Sequence, residues 1–105
     1  LPWKDKNFDV VLSDAALLYI APKDIRKVMS ELDRVTKKAV ILVERFDRSI
    51  NGVVKRHVWA RNYPVLLKEF SFRIKQRIKI DKKTWPLSIS WQKFGYLFLA
   101  TRKNM

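Results

Sequence analysis

The chain has 105 residues, of which 48% are hydrophobic and 12% aromatic, enough apolar material for the core of one domain. It contains no cysteine and one histidine, which excludes disulfides, thiolate metal sites, cysteine nucleophiles and multi-histidine metal centres. The net charge of +13 is uneven, because residues 1–50 carry 10 basic and 8 acidic side chains, whereas residues 51–105 carry 13 and 2. A basic half favours an anionic partner, most simply a nucleic acid, although a basic face also serves solubility.

A strand–helix–strand unit is predicted over the first 43 residues. Phe8–Leu12 and Ala39–Val43 are continuous apolar runs, which are typical of parallel strands covered on both faces. Between them Pro22–Lys37 is predicted as a helix, because apolar residues recur every three to four positions along it. Such a unit implies a parallel sheet with helices on its faces, and therefore an α/β fold.

The second half of the chain is predicted to add a short helix and an antiparallel pair of strands. Arg61–Phe70 is predicted as the helix, with Asn62 as its N-cap. Residues 72–80 alternate apolar and basic side chains, and Tyr96–Thr101 is a last apolar strand that we expect to pair with them antiparallel. The connection between the two is expected to hold at most a short strand, at Leu87–Trp91.

The basic side chains of residues 72–80 form one predicted face of their strand, and two lysines follow it. These side chains are Arg73, Lys75, Arg77, Lys79, Lys82 and Lys83. The opposite, core-facing set is expected to be Phe72, Ile74, Ile78 and Ile80. The basic row could follow the phosphates of a nucleic acid, or it could protect the edge of the sheet from unwanted pairing.

The start of the chain carries a recognisable motif. It comprises Leu1-Pro2-Trp3, Asp5, Phe8-Asp9-Val10-Val11, Ser13-Asp14 and Leu17-Leu18-Tyr19-Ile20. This motif resembles the stretch that leads through the fourth strand of class I S-adenosylmethionine-dependent methyltransferases. The order of the predicted elements is similar to the second half of that fold over essentially all 105 residues. The resemblance implies the C-terminal half of a Rossmann-like sheet, as one partial domain at residues 1–105.

The resemblance also implies that part of the cofactor site is missing. In that family the glycine-rich turn and the acid that holds the ribose hydroxyls lie upstream of the matching stretch, and no Gly-x-Gly occurs in this sequence. The chain is therefore expected to be inactive in methyl transfer without the glycine-rich half. Ligands of open α/β sheets sit beyond the carboxyl ends of the strands, which places the present part of the site near Ser13-Asp14.

The resemblance assigns roles to individual residues, each beside a simpler interpretation. The cofactor S-adenosylmethionine would be contacted by Leu1, Pro2, Ser13, Asp14, Ala15 and Leu18. The acceptor side would carry Tyr19, His57, Trp59 and Arg61, where the histidine could act as a general base. The simpler interpretations are a frayed terminus, a polar strand end, a packing tyrosine and a basic surface segment anchored by the tryptophan. The methyl acceptor stays open, and the charge favours an anionic one.

Two functions from different classes follow from these observations. The chain is either part of a methyltransferase or a non-catalytic basic α/β module that binds nucleic acid. Its first strand would be an unpaired apolar edge, Val10-Val11-Leu12, so self-association or pairing with a completing chain is expected. The sequence shows no signal-peptide pattern and no apolar run near the roughly 20 residues that span a bilayer, so we expect a cytoplasmic protein without membrane contact.

Overall fold

The computed structural model describes residues 1–48, 52–55, 57–81, 83 and 89–103. In chain order the elements are β1 (Phe8–Asp14), α1 (Ile25–Val35), β2 (Thr36–Arg45), β3 (Gly52–Lys55), β4 (Val58–Ala60), α2 (Tyr63–Glu69), β5 (Phe72–Lys79), α3 (Ile89–Phe94) and β6 (Gly95–Arg102). A turn of 3₁₀ helix, Leu17–Tyr19, lies between β1 and α1. The main sheet has the order β1-β2-β6-β5, and β3 and β4 form a separate hairpin. The α/β fold expected from the sequence is confirmed.

The strand–helix–strand unit forms as its apolar pattern predicts. β1 and β2 pair in parallel, while α1 buries Ile25 and Met29 against the sheet. The helix passes directly into β2 at Thr36, whose hydroxyl donates to the carbonyl oxygen of Leu32 at 2.6 Å. This bond satisfies one of the carbonyl groups that the last helical turn leaves free, so the chain can change from helix to strand without a connecting loop.

The sheet carries its core on one face. The buried cluster there consists of Leu17, Ile25, Met29, Val40, Leu42, Tyr63, Leu66, Leu67, Phe72, Phe98 and Ala100. Because side chains alternate along a strand, the register places the other apolar side chains of β1, β2 and β6 on the second face. There Leu12 lies beside Ile41, and Ile41 beside Leu99. Leu12 is 63% exposed, so this face is an apolar surface that the described residues leave partly open.

The alternation predicted for residues 72–80 is broken by a β-bulge. β5 pairs antiparallel with β6 as expected, but the register shifts between Ile74 and Gln76. A one-residue shift moves every following side chain to the other face. Arg77 therefore lies beside Phe98 on the core side, with its guanidinium 4.7 Å from the ring centroid of Phe46. The prediction of one basic face was wrong, since the bulge divides the row.

The same bulge changes the environment of the two isoleucines that follow it. Ile78 was expected in the core but is 50% exposed, whereas Ile80 is 6% exposed. We expect Ile80→Ser to lower the free energy of unfolding by about 2–3 kcal/mol, and Ile78→Ser by less than about 1 kcal/mol. Urea unfolding of both variants measures the two losses. Equal losses would mean that Ile78 and Ile80 are buried alike, as the unbroken alternation predicts.

The connection before β6 contains a helix instead of the expected strand at Leu87–Trp91. Residues 87 and 88 lie outside the described residues, and the remainder of the predicted strand belongs to α3. α3 runs straight into β6 at Gly95, where a Cβ would lie 2.5 Å from the carbonyl oxygen of Trp91. Glycine is required there by this close approach. Lys82, the fifth member of the predicted basic row, is also outside the described residues.

Candidate functional site

The carboxyl ends of β1 and β2 lie side by side at one edge of the sheet. Asp14 is the neighbour of Val43, and the N–H of Ala15 donates to the carbonyl oxygen of Val43 at 2.8 Å. Ala15 has a φ of 56°, in the left-handed region that non-glycine residues rarely adopt. The chain thus leaves the sheet through a constrained turn, and such positions concentrate at functional sites.

A fully buried glutamate, Glu44, ties this turn to β2. Its Oε2 accepts hydrogen bonds from the Ser13 hydroxyl at 2.8 Å and from the N–H groups of Ala16 and Leu17 at 3.2 Å each. Burial raises the pKa of the carboxyl, and the three hydrogen bonds oppose that rise. Its Oε1 has no hydrogen-bond partner among the described residues. Glu44 is not predicted as a site residue from the sequence, because one acidic residue after an apolar run looks like an ordinary strand end.

Arg61 holds the same turn from the other side. Its guanidinium donates to the carbonyl oxygen of Leu17 at 2.7 Å and to that of Ile20, and the side chain is fully buried. Its backbone N–H also bonds the carbonyl oxygen of Arg45 at 2.8 Å, which fixes the start of α2 against the end of β2. This position corrects the expectation that Arg61 faces an acceptor, since its donors are directed at the backbone around the 3₁₀ helix.

The first five residues are held against the end of α1 by Arg34. Its guanidinium donates to the carbonyl oxygens of Leu1 at 3.0 Å and Trp3 at 2.7 Å, and to the carboxylate of Asp5 at 2.9 Å. Glu31 accepts from the same guanidinium at 2.6 Å, and this contact lowers the pKa of Glu31 to about 2. The segment is thereby placed beside β1, where its apolar side chains form one wall of a groove.

An open apolar groove with a volume of about 690 Å³ runs along β1, between residues 1–3 and α1. Among the described strands β1 pairs with β2 alone, so its other edge is open. The lining from the first 20 residues comprises Leu1, Trp3, Phe8, Val11, Leu12, Ser13, Asp14, Ala16, Leu17 and Ile20. The volume lies within the range of roughly 300–1,000 Å³ that is usual for small-molecule sites.

The groove brings together three of the six residues expected at the cofactor, namely Leu1, Ser13 and Asp14. Of these, Asp14 is exposed, while the hydroxyl of Ser13 is engaged by Glu44. Leu18 is 1% exposed, so its side chain packs in the interior and does not line the groove. The remaining two, Pro2 and Ala15, lie next to lining residues in the chain but are not part of the lining.

The residues expected at the acceptor lie outside the groove. Tyr19 is exposed at the end of the 3₁₀ helix. His57 occupies the turn of the β3–β4 hairpin with a φ of 62°, and its ring centroid is 6.5 Å from that of Trp59. β4 packs beside the 3₁₀ helix, which brings the hairpin and Tyr19 to the same end of the sheet. The hairpin was not foreseen, because its turn contains no glycine.

Acidic and histidine clusters and long apolar helices were sought in residues 1–48, 52–55, 57–81, 83 and 89–103. Within these residues, no cluster of three or more histidine or acidic side chains could hold a metal ion. None of the helices in the described ranges is long and apolar enough to cross a bilayer.

The comparisons with known proteins agree with this geometry. Residues 1–43 match the profile of a family described as a methyltransferase domain. No curated protein matches the chain. Among solved structures, a SAM-dependent methyltransferase from Methanosarcina mazei is similar, with a TM-score of 0.70 and 17% identity. The match covers 97% of this chain and 62% of that one.

Two further solved structures show how widely the fold is used. A 1,6-didemethyltoxoflavin-N1-methyltransferase from Burkholderia thailandensis, with bound S-adenosylhomocysteine, has a TM-score of 0.67 at 12% identity over 94% of this chain and 45% of its own. The [4+2]-cyclase SpnF has a TM-score of 0.68 at 17% identity over 97% of this chain and 52% of its own. The chain thus spans about half to two thirds of the length of the solved chains that it matches.

Proposed function

Since the chain has the fold of part of a class I S-adenosylmethionine-dependent methyltransferase domain, we propose that it forms one wall of a cofactor site for methyl transfer. The observation that carries this proposal is the groove beside the carboxyl end of β1, which is where open α/β sheets bind their ligands. The glycine-rich wall of such a site must come from other sequence, because no Gly-x-Gly occurs in this chain.

Two features of the groove lining support S-adenosylmethionine as the ligand. Leu1, Trp3 and Leu12 offer apolar and aromatic surface to a flat adenine ring. Asp14 is an exposed carboxylate at the end of β1, and it suits a ligand that carries a cationic sulfonium and an ammonium group. When bound, the cofactor supplies an activated methyl group.

The contribution of this chain to the reaction would be positioning. Methyl transfer requires donor and acceptor in line, so a fixed geometry supplies much of the acceleration. Glu44 and Arg61 fix the segment between Asp14 and Tyr19 from opposite sides, through hydrogen bonds to its backbone. The exposed Tyr19 and the nearby hairpin would then face the acceptor.

Calorimetric titration with S-adenosylhomocysteine tests the proposal. The titration is carried out on the chain as it stands and on the product of the complete open reading frame that contains it, called the longer protein below. We expect saturable binding in the longer protein and little or none in the shorter one, because the shorter one lacks the glycine-rich wall. In the longer protein Asp14→Asn should weaken binding about tenfold or more, whereas the exposed Asp9→Asn should not. Absence of binding in the longer protein would refute the proposal.

The open edge of β1 predicts association with a second copy or a completing chain. An unpaired apolar strand is a template for further pairing, and Leu12 lies on this edge with more than half of its side chain exposed. Light scattering of the concentrated chain should therefore give a mass above that of a monomer. Leu12→Lys should restore the monomer mass, while Val65→Lys, on the exposed side of α2, should not. A monodisperse wild-type monomer would contradict this prediction.

A further inference from the structure

Arg45, the last residue of β2, is a buried cation without a hydrogen bond to the described residues. Its side chain is 8% exposed, and its Nε is enclosed with no acceptor within reach in the described part of the chain. The guanidinium lies 4.6 Å from the ring centroid of Trp91 in α3. An N–H group that is enclosed without an acceptor costs free energy, so the guanidinium of Arg45 suits an acceptor that a ligand supplies.

The residue opposite Arg45 leaves room for the ring of Trp91. Gly95 lies directly opposite Arg45 in the β2–β6 pair, and a Cβ at Gly95 would come within 2.7 Å of the Trp91 ring. The glycine therefore admits the tryptophan ring beside the arginine. The flat ring restricts the guanidinium plane while leaving its N–H groups free to donate within that plane.

Arg45 also lies where the proposed cofactor wall and acceptor side meet. Its side chain points to the second face of the sheet, opposite that of Glu44. Asp14 lies on the same face beside Val43, two residues before Arg45. Tyr19 is close enough for its phenol to affect the pKa of Arg45, which burial lowers. Arg45 and the exposed Tyr19 thus lie at the same end of the sheet.

We propose that Arg45 binds an anionic group, a carboxylate or a phosphate, on the methyl acceptor. The guanidinium fork matches the paired oxygens of both groups. That the anion belongs to the methyl acceptor rests on the proposed function. That an anion binds here at all rests only on Arg45, Trp91 and Gly95.

The first test follows the Arg45 Nε–Hε resonance of the ¹⁵N-labelled chain during titration with inorganic phosphate or acetate, with chloride at equal ionic strength as the reference. We expect a saturable shift of the Arg45 signal and a smaller, non-saturating shift of the exposed Arg73 signal. A response to acetate alone would indicate a carboxylate, and a response to phosphate would indicate a phosphoryl group. An Arg45 signal that does not move, or moves only as Arg73 does, overturns the proposal.

A second measurement compares the anion-dependent rise in Tm of wild type, Arg45→Lys and Lys75→Met. A ligand that binds only the folded state raises Tm. We expect a rise in wild type and in Lys75→Met, which removes an exposed charge, and a much smaller one in Arg45→Lys, which keeps the charge but loses the fork. Equal rises in all three would overturn the proposal. If anion binding fails while S-adenosylhomocysteine still binds the longer protein, only the anion site is refuted. If the anion binds but S-adenosylhomocysteine does not, the proposed function is refuted and the anion site stands.

Discussion

Replacing Glu44 with alanine should lower the free energy of unfolding by about 4 kcal/mol, the largest effect that we expect from one side chain of this protein. The carboxylate is fully buried and its Oε2 accepts from three donors, the Ser13 hydroxyl and the N–H groups of Ala16 and Leu17. The alanine variant would leave two buried donors, on Ser13 and Leu17, and the partly buried N–H of Ala16 without this acceptor. Each unsatisfied donor costs roughly 1–3 kcal/mol, and the vacated volume adds to the loss.

Urea unfolding of Glu44→Ala measures this loss, and Glu69→Ala is the matched control. Glu69 is an exposed glutamate that accepts from Arg26 at 3.1 Å, and exposed pairs of this kind contribute at most about 1 kcal/mol. Similar losses in the two variants would show that the Glu44 hydrogen bonds do not hold the turn after β1.

The pH dependence of Glu44→Gln separates hydrogen bonding from charge. Burial raises the pKa of Glu44 above the 4.5 of an exposed glutamate, so the unfolded state ionises first as the pH rises. The wild type therefore loses stability between pH 4.5 and the raised pKa of the folded state, whereas the glutamine variant has no such loss. The unfolding free energy of Glu44→Gln relative to wild type should increase with pH over that interval. A decrease would mean that the three donors outweigh the cost of burial.

Arg61→Met should lower the free energy of unfolding by roughly 3 kcal/mol. The guanidinium is fully buried and donates to the carbonyl oxygens of Leu17 and Ile20, which the methionine side chain cannot do. The free energy of unfolding of Arg61→Lys should lie between those of the wild type and Arg61→Met, because an ammonium keeps the charge but has no planar fork to reach both carbonyls. The loss reflects the anchoring of the 3₁₀ helix, so it should appear without any ligand.

Chemical denaturation again measures the effect, with Arg26→Met as the control. Arg26 also pairs through its guanidinium, but with the exposed Glu69, and its removal should change the free energy of unfolding far less than Arg61→Met does. If Arg61→Met were as stable as Arg26→Met, the arginine would be a surface cation after all. The prediction that Arg61 lies on the side of the methyl acceptor would then be consistent with its position.

The sequence predicts the elements whose side chains repeat with a clear period. The apolar runs at Phe8–Leu12 and Ala39–Val43, and the helical stripe between them, lie where the structure has β1, β2 and α1. The N-cap at Asn62 is also confirmed, because its side chain accepts from the N–H of Val65 at 3.3 Å. These features depend on local spacing and capping, which a sequence displays directly.

Features that depend on tertiary contacts were missed for identifiable reasons. The bulge in β5 interrupts a sequence that alternates without a break, and only the pairing with β6 reveals it. α3 is too short to show a helical period. Arg61 stands within a basic stretch and was expected on the acceptor side or in a basic surface segment, although it is among the most buried side chains. Burial of a charged residue is decided by the partners that the fold supplies, and those partners are distant in sequence.

The most direct test of the proposed cofactor wall is an amide spectrum titrated with S-adenosylhomocysteine. It is recorded on the product of the complete open reading frame that contains this chain. The structure predicts saturable shifts at Trp3 and at residues 12–17, which line the groove or adjoin it, and small shifts along β5. Binding whose shifts leave residues 1–17 unchanged, or a complete absence of binding, would contradict the assignment of this edge of the sheet to a methyltransferase site.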